Sequence, residues 1–206
     1  MLDLTIEKIT REEDYEKISE MIYDTDPYIY RDLFGSLDSA KKVLRILLDE
    51  PKSVFYKGYY FLAVSNNEIA GLAALYKNTL EWNENVIRKA FYEARCERPE
   101  SFDAVSEYFQ SVFDYVTTGI SACNITVAEE YKNKGVGSFL LNHLIFVAGN
   151  ARMELNVLAD NAPAVALYKK QGFAIETEFY DYGGYNEPYI LCYKMSRNNS
   201  RHESEK

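Results

Sequence analysis

The chain has 206 residues, of which 47% are hydrophobic and 27% charged, a balance typical of one globular domain. No apolar run approaches the ~20 residues that a membrane-spanning helix needs, and the acidic N-terminus lacks the pattern of a secretory signal peptide. The net charge of −9 argues against nucleic acid as the main partner, and three scattered cysteines with two histidines suggest no disulfide framework or metal site. We therefore expect a cytoplasmic domain with no metal, membrane or nucleic-acid partner.

The first part of the chain predicts a strand, two helices and a hairpin. Residues 2–9 alternate apolar and charged side chains, as a half-buried strand does. Thr10 and Glu13 predict the capping box of a first helix, which ends before Pro27. A second helix is expected over residues 39–48. The hairpin is expected to pair residues 59–64 with residues 68–76.

An insertion of two amphipathic helices follows, over about residues 77–119. The helices are expected at about 84–95 and 101–116, each with one apolar face. These faces indicate packing on the domain or on a partner chain, which is compatible with a homodimer. The insertion either restricts a cleft at this edge, forms a dimer contact, or packs without a direct role in chemistry.

The next segment predicts a strand, a glycine turn and a helix. Ile125 and Val127 end the strand, and the backbone N–H groups of the turn converge with the positive end of the helix. Such an arrangement binds anions, and a pyrophosphate fits it well. Gly135 and Gly137 leave the backbone open to phosphate oxygens. Lysines flank the turn, and the apolar helical face is expected at Phe139, Leu140, Leu144, Ile145 and Val147.

Two known phosphate-binding motifs are absent from this turn. The Walker pattern Gly-x-x-x-x-Gly-Lys-Ser/Thr does not occur, and the dinucleotide pattern Gly-x-Gly-x-x-Gly fails because position 140 is leucine. A nucleotide-binding protein that uses the same loop is disfavoured because the sequence lacks Mg²⁺-ligand motifs.

A second strand and helix follow the first pair. Residues 153–158 alternate as a strand, and Asp160 or Asn161 is a natural helix N-cap. Pro163 lies in the first turn, where its missing N–H is harmless, and Gly172 ends the helix.

The two segments resemble the cofactor-binding core of the GNAT superfamily of acyl-CoA-dependent N-acyltransferases. The family pattern Gln/Arg-x-x-Gly-x-Gly/Ala corresponds to residues 132–137, where Lys132 replaces Gln or Arg and keeps a donor and a charge. The resemblance is close over residues 120–195 and extends earlier by element order. The family's second motif corresponds to Asn161, Ala164, Leu167, Tyr168, Gly172 and Phe173.

The resemblance implies an α/β fold, with a central mixed β-sheet flanked by helices and the two-helix insertion between the third and fourth strands. It implies a single domain over residues 1–195. Residues 196–206 are polar and without periodicity, so we expect a disordered tail.

The resemblance also implies a function: transfer of an acetyl group from acetyl-CoA to a primary amine, by direct attack in a ternary complex. Backbone groups of Ile125 and Val127 would pair with the pantetheine arm, and Asn161 would hold part of it. Tyr168 would protonate the departing CoA thiolate, since its reference pKa of about 10 lies near that of a thiol. The pyrophosphate would lie on the N–H groups of Lys132, Asn133, Lys134, Gly135, Val136, Gly137 and Ser138.

The acceptor side is less defined. No covalent nucleophile is required, so Cys123 is expected to be a buried apolar residue. A water chain is one source of the general base, and Asp114, Asp181 and Glu187 are others. The family places acceptor-lining residues where this chain has Tyr28, Tyr30, Tyr182 and Tyr185, although these tyrosines also fit plain packing roles. A non-catalytic acyl-CoA-binding regulatory module is the alternative function.

Overall fold

The structure is a computed structural model that describes residues 2–77, 80–114, 119–186 and 189–198, without the side chains of 113 and 114. The helices are α1 (Tyr15–Tyr23), α2 (Ile29–Phe34), α3 (Leu37–Leu47), α4 (Glu84–Glu93), α5 (Phe102–Asp114), α6 (Val136–Ala148) and α7 (Ala162–Lys170). The strands are β1 (Thr5–Glu7), β2 (Tyr60–Ser65), β3 (Glu68–Lys77), β4 (Ile120–Val127), β5 (Met153–Leu158), β6 (Ala174–Asp181) and β7 (Ile190–Arg197).

The described strands form one mixed sheet in the order β1-β2-β3-β4-β5-β7-β6. Every neighbouring pair is antiparallel except β4 and β5, which run parallel. Helix α6 packs against β2, β3 and β4, and α1 packs against β3 and β4. The expected α/β fold with a central mixed sheet flanked by helices is confirmed, and α4 and α5 lie between the third and fourth strands as expected.

The β2–β3 hairpin forms where the sequence predicts it. Asn66 and Asn67 have φ angles of 51° and 64°, as the tight two-residue turn between paired strands requires. On β3, a Cβ at Gly71 would lie 2.8 Å from the carbonyl oxygen of Thr126 and 3.0 Å from a Leu140 methyl group. Only glycine therefore lets β3, β4 and α6 approach this closely.

The predicted start of the first helix is wrong. Among the described residues Thr10 caps no helix: a 3₁₀ turn over Glu12–Asp14 precedes α1, and Arg11 is the N-cap residue of that turn. The Arg11 guanidinium instead donates to the Asp14 carboxylate at 2.8 Å. The buried face of α1 is as predicted, with Tyr15, Ile18, Met21 and Ile22 in the core.

Three helices rather than two precede the hairpin. The short helix α2 occupies the segment expected to be a connection, because Asp26 caps it: its Oδ1 atom accepts the backbone N–H groups of Tyr28 and Ile29 at 3.0 and 2.9 Å. Helix α3 begins at Leu37 instead of Ser39 because the Ser36 hydroxyl caps it.

Helices α4 and α5 pack on the domain. Phe91 of α4 stacks on Phe34 of α2 with ring centroids 6.2 Å apart, and meets Phe102 of α5 at 5.5 Å. The prediction of a packed helical pair is confirmed within the described residues, whereas Val116, expected on the apolar face of α5, lies outside them.

Two predictions for the C-terminal half differ from the structure: the width of the buried face of α6 and the end of the last strand. Val147 of α6 is 46% exposed, so the buried stripe of this helix is narrower than predicted and centres on Leu140, Leu141 and Leu144. Strand β7 continues to Arg197, two residues past the expected end of the domain at 195.

Candidate active site

Strands β4 and β5 separate soon after they meet. Their parallel pairing is limited to Ile120 with Met153 and Ser121 with Glu154, although β4 continues to Val127 and β5 to Leu158. From residue 122 onward the two edges therefore diverge, and backbone groups that would pair in a regular sheet face a gap.

A β-bulge accompanies this divergence. On β4, Asn124 and Ile125 stand opposite the single residue Ala73 of β3, because Leu72 pairs with Thr126 and Ala74 pairs with Cys123. Asn124 has a φ of 49°, a left-handed conformation that asparagine tolerates better than most residues. The bulge bends β4 where the gap opens.

The side chain of Asn124 fixes this bend. Its Oδ1 atom accepts hydrogen bonds from the hydroxyls of Tyr30, at 2.7 Å, and Thr25, at 3.2 Å, and its Nδ2 atom donates to the Tyr60 hydroxyl at 2.9 Å. Burial raises the pKa of both tyrosines. They stay protonated, and the network joins the α1–α2 connection to β2 and β4.

A cleft of about 760 Å³ occupies the gap between β4 and β5. Its walls come from the two strands, the end of β3, the start of α2 with the residues before it, the N-cap and last turn of α7, helix α5, and strands β6 and β7. Its size lies within the range of small-molecule sites. The residues that line the cleft include Asp26, Tyr30, Leu80, Phe109, Ser111, Val112, Cys123, Ile125, Glu154, Asn161, Tyr168, Thr177, Phe179, Asp181 and Lys194.

The glycine turn leads directly from β4 into α6. Gly135 is the N-cap residue of α6, with a φ of 89° that favours glycine. A Cβ at Gly137 would lie 3.2 Å from a Leu167 methyl group, so this glycine also allows α7 to approach α6. Tyr131 anchors the turn by donating its hydroxyl to Glu68 of β3 at 2.8 Å.

The backbone N–H groups of the turn differ in whether they already donate a hydrogen bond within the protein. Those of Lys132 and Lys134 donate to the carbonyls of Glu129 and Tyr131 at 3.2 and 3.4 Å. Five others make no backbone hydrogen bond to any described residue, as expected at a helix start. They belong to Asn133, Gly135, Val136, Gly137 and Ser138.

The two lysine side chains lie beside these free N–H groups. Lys132 Nζ pairs with the Glu129 carboxylate at 2.5 Å, and both side chains are exposed. Lys134 Nζ lies 5.6 Å from the centroid of the Tyr131 ring. An exposed pair is weakly held, so each ammonium can turn toward an anion at the helix start.

Helix α7 brings two predicted residues to the cleft. Asn161 caps the helix, its Oδ1 accepting the Ala164 N–H at 3.2 Å, and it also lines the cleft. Tyr168 is 7% exposed and packs on Phe173. Within the described part of the chain, burial alone raises the pKa of Tyr168 to about 12, with no hydrogen bond or charge contributing. Tyr168 therefore stays protonated and lines the cleft, and its hydroxyl has no hydrogen-bond partner among the described residues.

Three carboxylates line the cleft, those of Asp26, Asp181 and Glu154. Asp26 is half-buried, and burial, together with the charge of Asp181, raises its pKa. Its Oδ1 atom caps α2, whereas its Oδ2 atom has no hydrogen-bond partner among the described residues. Asp181 Oδ1 accepts the Tyr108 hydroxyl at 2.5 Å and the Tyr182 N–H at 2.9 Å. Sequence reasoning missed Asp26, although Asp-Pro before an apolar segment is a helix N-cap signal.

The four tyrosines expected on the acceptor side are not equivalent. Tyr30 lines the cleft and is buried. Tyr28 is not among the residues that line it, and neither are Tyr182 and Tyr185, which bind Asp32 instead through the Tyr182 hydroxyl at 3.0 Å and the Tyr185 N–H at 2.6 Å.

The remaining predicted residues are the three candidate bases, the two residues at the end of β4, and Cys123. Asp181 alone of the three proposed bases is seen at the cleft, because Glu187 and the side chain of Asp114 lie outside the described residues. Ile125 lines the cleft, whereas Val127 lies toward the glycine turn. Burial raises the pKa of the Cys123 thiol to about 12, so it is not poised as a thiolate nucleophile.

Within residues 2–77, 80–114, 119–186 and 189–198, no three His, Cys, Asp or Glu side chains are grouped so that they could hold a metal ion. The helices in these ranges are also too short or too polar to span a bilayer.

Two characterised bacterial proteins are similar to part of this chain. L-amino acid N-acetyltransferase AaaT of Escherichia coli K12 is 42% identical over 77 residues, 35% of this chain and 48% of that protein. The [ribosomal protein bS18]-alanine N-acetyltransferase of the same strain is 31% identical over 121 residues, 53% of this chain and 79% of that protein. The first match thus spans about half the length of its relative.

Solved structures share the fold. Spermidine N-acetyltransferase from Vibrio cholerae, in complex with CoA and spermine, superimposes with a TM-score of 0.61 at 18% identity, over 95% of each chain. The model of the acetyltransferase (GNAT) family matches residues 28–173, which include the diverging strands, the glycine turn and α7. Because this match covers well over half of the chain, the protein belongs to the GNAT acetyltransferase family.

Proposed function

We propose that the protein transfers an acetyl group from acetyl-CoA to a primary amine. The observation that carries this proposal is the gap between β4 and β5, which has the glycine turn at the end of β4. Tyr168, whose hydroxyl has no partner among the described residues, lies in the wall of the gap. A protein that only binds acyl-CoA needs the gap and the turn, but it does not need a buried hydroxyl donor beside them.

Acetyl-CoA is proposed to enter this gap with its pantetheine arm along β4. Backbone groups near Ile125 and Val127, where β4 makes no pairing with β5, would bond with the amides of the arm, as a missing strand would. The pyrophosphate would accept the free N–H groups of Asn133 and Gly135–Ser138, with Lys132 and Lys134 adding charge. The Asn161 amide, already at the helix start, would hold the arm near its thiol end.

The acetyl carbonyl would then lie at the bend of β4. A backbone N–H released by the divergence from β5 would stabilise the developing oxyanion of the tetrahedral intermediate. Attack by the neutral amine nitrogen forms the new C–N bond, and collapse of the intermediate breaks the C–S bond and releases CoA thiolate. The nitrogen gives its remaining excess proton to water as the amide forms. No covalent enzyme intermediate is needed.

Tyr168 is proposed to stabilise the departing thiolate mainly by hydrogen bonding. With its pKa at about 12, and an ordinary thiol near 8.5, complete proton transfer to the thiolate would be uphill by roughly 5 kcal/mol. A strong hydrogen bond from the hydroxyl avoids this cost and still lowers the barrier for C–S cleavage.

Asp26 is proposed to take the proton from the acceptor ammonium. Asp26 lines the cleft, its Oδ2 has no hydrogen-bond partner among the described residues, and its raised pKa makes it a better base than an exposed aspartate. Asp181, on the same side, adds negative charge that attracts the cation.

The experiment measures release of CoA thiol from acetyl-CoA across a panel of amines. We expect amine-dependent release by the wild type, and a loss of about 10²-fold or more in kcat for Tyr168→Phe. Tyr92→Phe is the matched control, because Tyr92 is 84% exposed on α4. Tight acetyl-CoA binding without release for any amine would contradict catalysis, and an unaltered kcat for Tyr168→Phe would contradict the role of this hydroxyl.

A further inference from the structure

Helix α5 of the insertion forms one side of the cleft, although it is distant in sequence from the residues that bind the cofactor. Thr177 and Phe179 of β6 line the same cleft. A group that extends from the reacting centre along β6 therefore meets α5. We call the insertion residues that line the cleft the inserted wall; they are Leu80, Phe109, Ser111 and Val112.

The inserted wall is attached to the C-terminal end of strand β6. The Tyr108 hydroxyl of α5 donates to Asp181 at the end of β6 at 2.5 Å, and its ring packs on Tyr182 with centroids 5.4 Å apart. Behind the wall, Phe109 stacks on Trp82 at 4.4 Å. A wall held by a hydrogen bond on one side and a stacked aromatic pair on the other resists displacement by a ligand.

A second set of contacts joins the start of α5, through helix α2, to the segment after β6. The Ser101 hydroxyl donates to the carbonyl oxygen of Asp32 in α2 at 2.7 Å. The Asp32 carboxylate accepts the Tyr182 hydroxyl and the Tyr185 N–H, both in the segment after β6. Helix α2, helix α5 and the segment after β6 are thus cross-linked around one end of the cleft.

The charges in the cleft favour a cation. Asp26 and Asp181 contribute two carboxylates. The ammonium of Lys194 also lines the cleft, but it pairs with Glu154 at 3.0 Å, which largely cancels both charges. The remaining charge is negative, so an ammonium group is attracted and a bulky acidic group is repelled.

We propose that the inserted wall sets the length of the acceptor: a compact, cationic primary amine fits, whereas the amine of an extended peptide or protein terminus is excluded. This inference rests on the proposed N-acetyltransferase function. It concerns the insertion, which supplies neither the glycine turn nor the residues proposed to hold acetyl-CoA.

The test compares two acceptor series of growing length, alkyl diamines and alanine peptide amides from one to six residues. Val112 is the residue to change, because it lines the cleft yet is 41% exposed, so its replacement does not threaten the fold. Val112→Ala widens the cleft and Val112→Phe narrows it. Tyr92→Ala, on the solvent side of the insertion, is the control.

For the wild type we expect kcat/KM to fall by about 10-fold or more between the short and long members of each active series. Val112→Ala should flatten this dependence and Val112→Phe should steepen it, with the KM for acetyl-CoA unchanged in both. A kcat/KM independent of length, or equal length profiles for all variants, would overturn the inference and leave the acetyltransferase function standing. Absence of release with every amine would overturn both.

Discussion

Replacing Asp26 with asparagine removes a charge from the cleft while keeping the oxygen that caps α2. Asparagine Oδ1 can still accept the N–H groups of Tyr28 and Ile29, which lie 3.0 and 2.9 Å from the carboxylate oxygen. The substitution therefore separates the chemical role from the structural one. As the proposed base, Asp26 should contribute about 10²- to 10⁴-fold to kcat, and Asp26→Asn should lose that factor.

The stability of the same variant should change in the opposite direction. Because burial raises the folded-state pKa of Asp26 above its ordinary 3.8, the fold disfavours the charged form. The aspartate thus costs stability once the pH exceeds the folded-state pKa, and this cost disappears below pH 3.8. At pH 7 we expect Asp26→Asn to melt at the same temperature as the wild type or higher.

Initial rates of CoA-thiol release and thermal melting are the assays. The wild-type kcat/KM should rise with pH as Asp26, beside Asp181, loses its proton, and Asp26→Asn should lose this acidic limb. Asp24→Asn, an exposed change in the same turn, is the control. A kcat within threefold of wild type, or a marked drop in melting temperature, would refute the reasoning.

Two glycine substitutions test the packing around the cofactor site. Gly71→Ala places a Cβ 2.8 Å from the Thr126 carbonyl oxygen, so we expect a loss of roughly 1–3 kcal/mol in the free energy of unfolding; an unchanged denaturation midpoint would argue against the close approach. Gly137→Ala meets the movable end of Leu167 at 3.2 Å and should fold. Because the methyl group displaces the backbone of residue 137 away from Leu167, this substitution should raise the KM for acetyl-CoA by up to about tenfold, the equivalent of one lost hydrogen bond. An unchanged KM would show that pyrophosphate binding does not depend on the position of this N–H.

The elements around the proposed cofactor site are predictable because their signals are local. A strand, two glycines and an apolar helix follow one another within residues 125–148, and Asn161 caps α7 a few residues after β5. Caps, turns and hydrophobic periodicity act over one or two turns of chain, so a single sequence contains them.

The acceptor side is not predictable in this way, because its residues meet across long sequence separations. Thr25 and Tyr30 reach Asn124 through hydrogen bonds that span 99 and 94 residues. Tyr108 reaches Asp181 over 73 residues. The position of the inserted wall depends on such contacts, and so does the raised pKa of Asp26, which periodicity does not encode.

The most direct test of the central claim is a crystal structure of the protein with CoA and an acceptor amine. We predict the pantetheine arm between β4 and β5, the pyrophosphate on the N–H groups of residues 135–138, and the CoA sulfur within hydrogen-bond reach of the Tyr168 hydroxyl. CoA bound outside the β4–β5 gap, or a thiol directed away from Tyr168, would contradict the account.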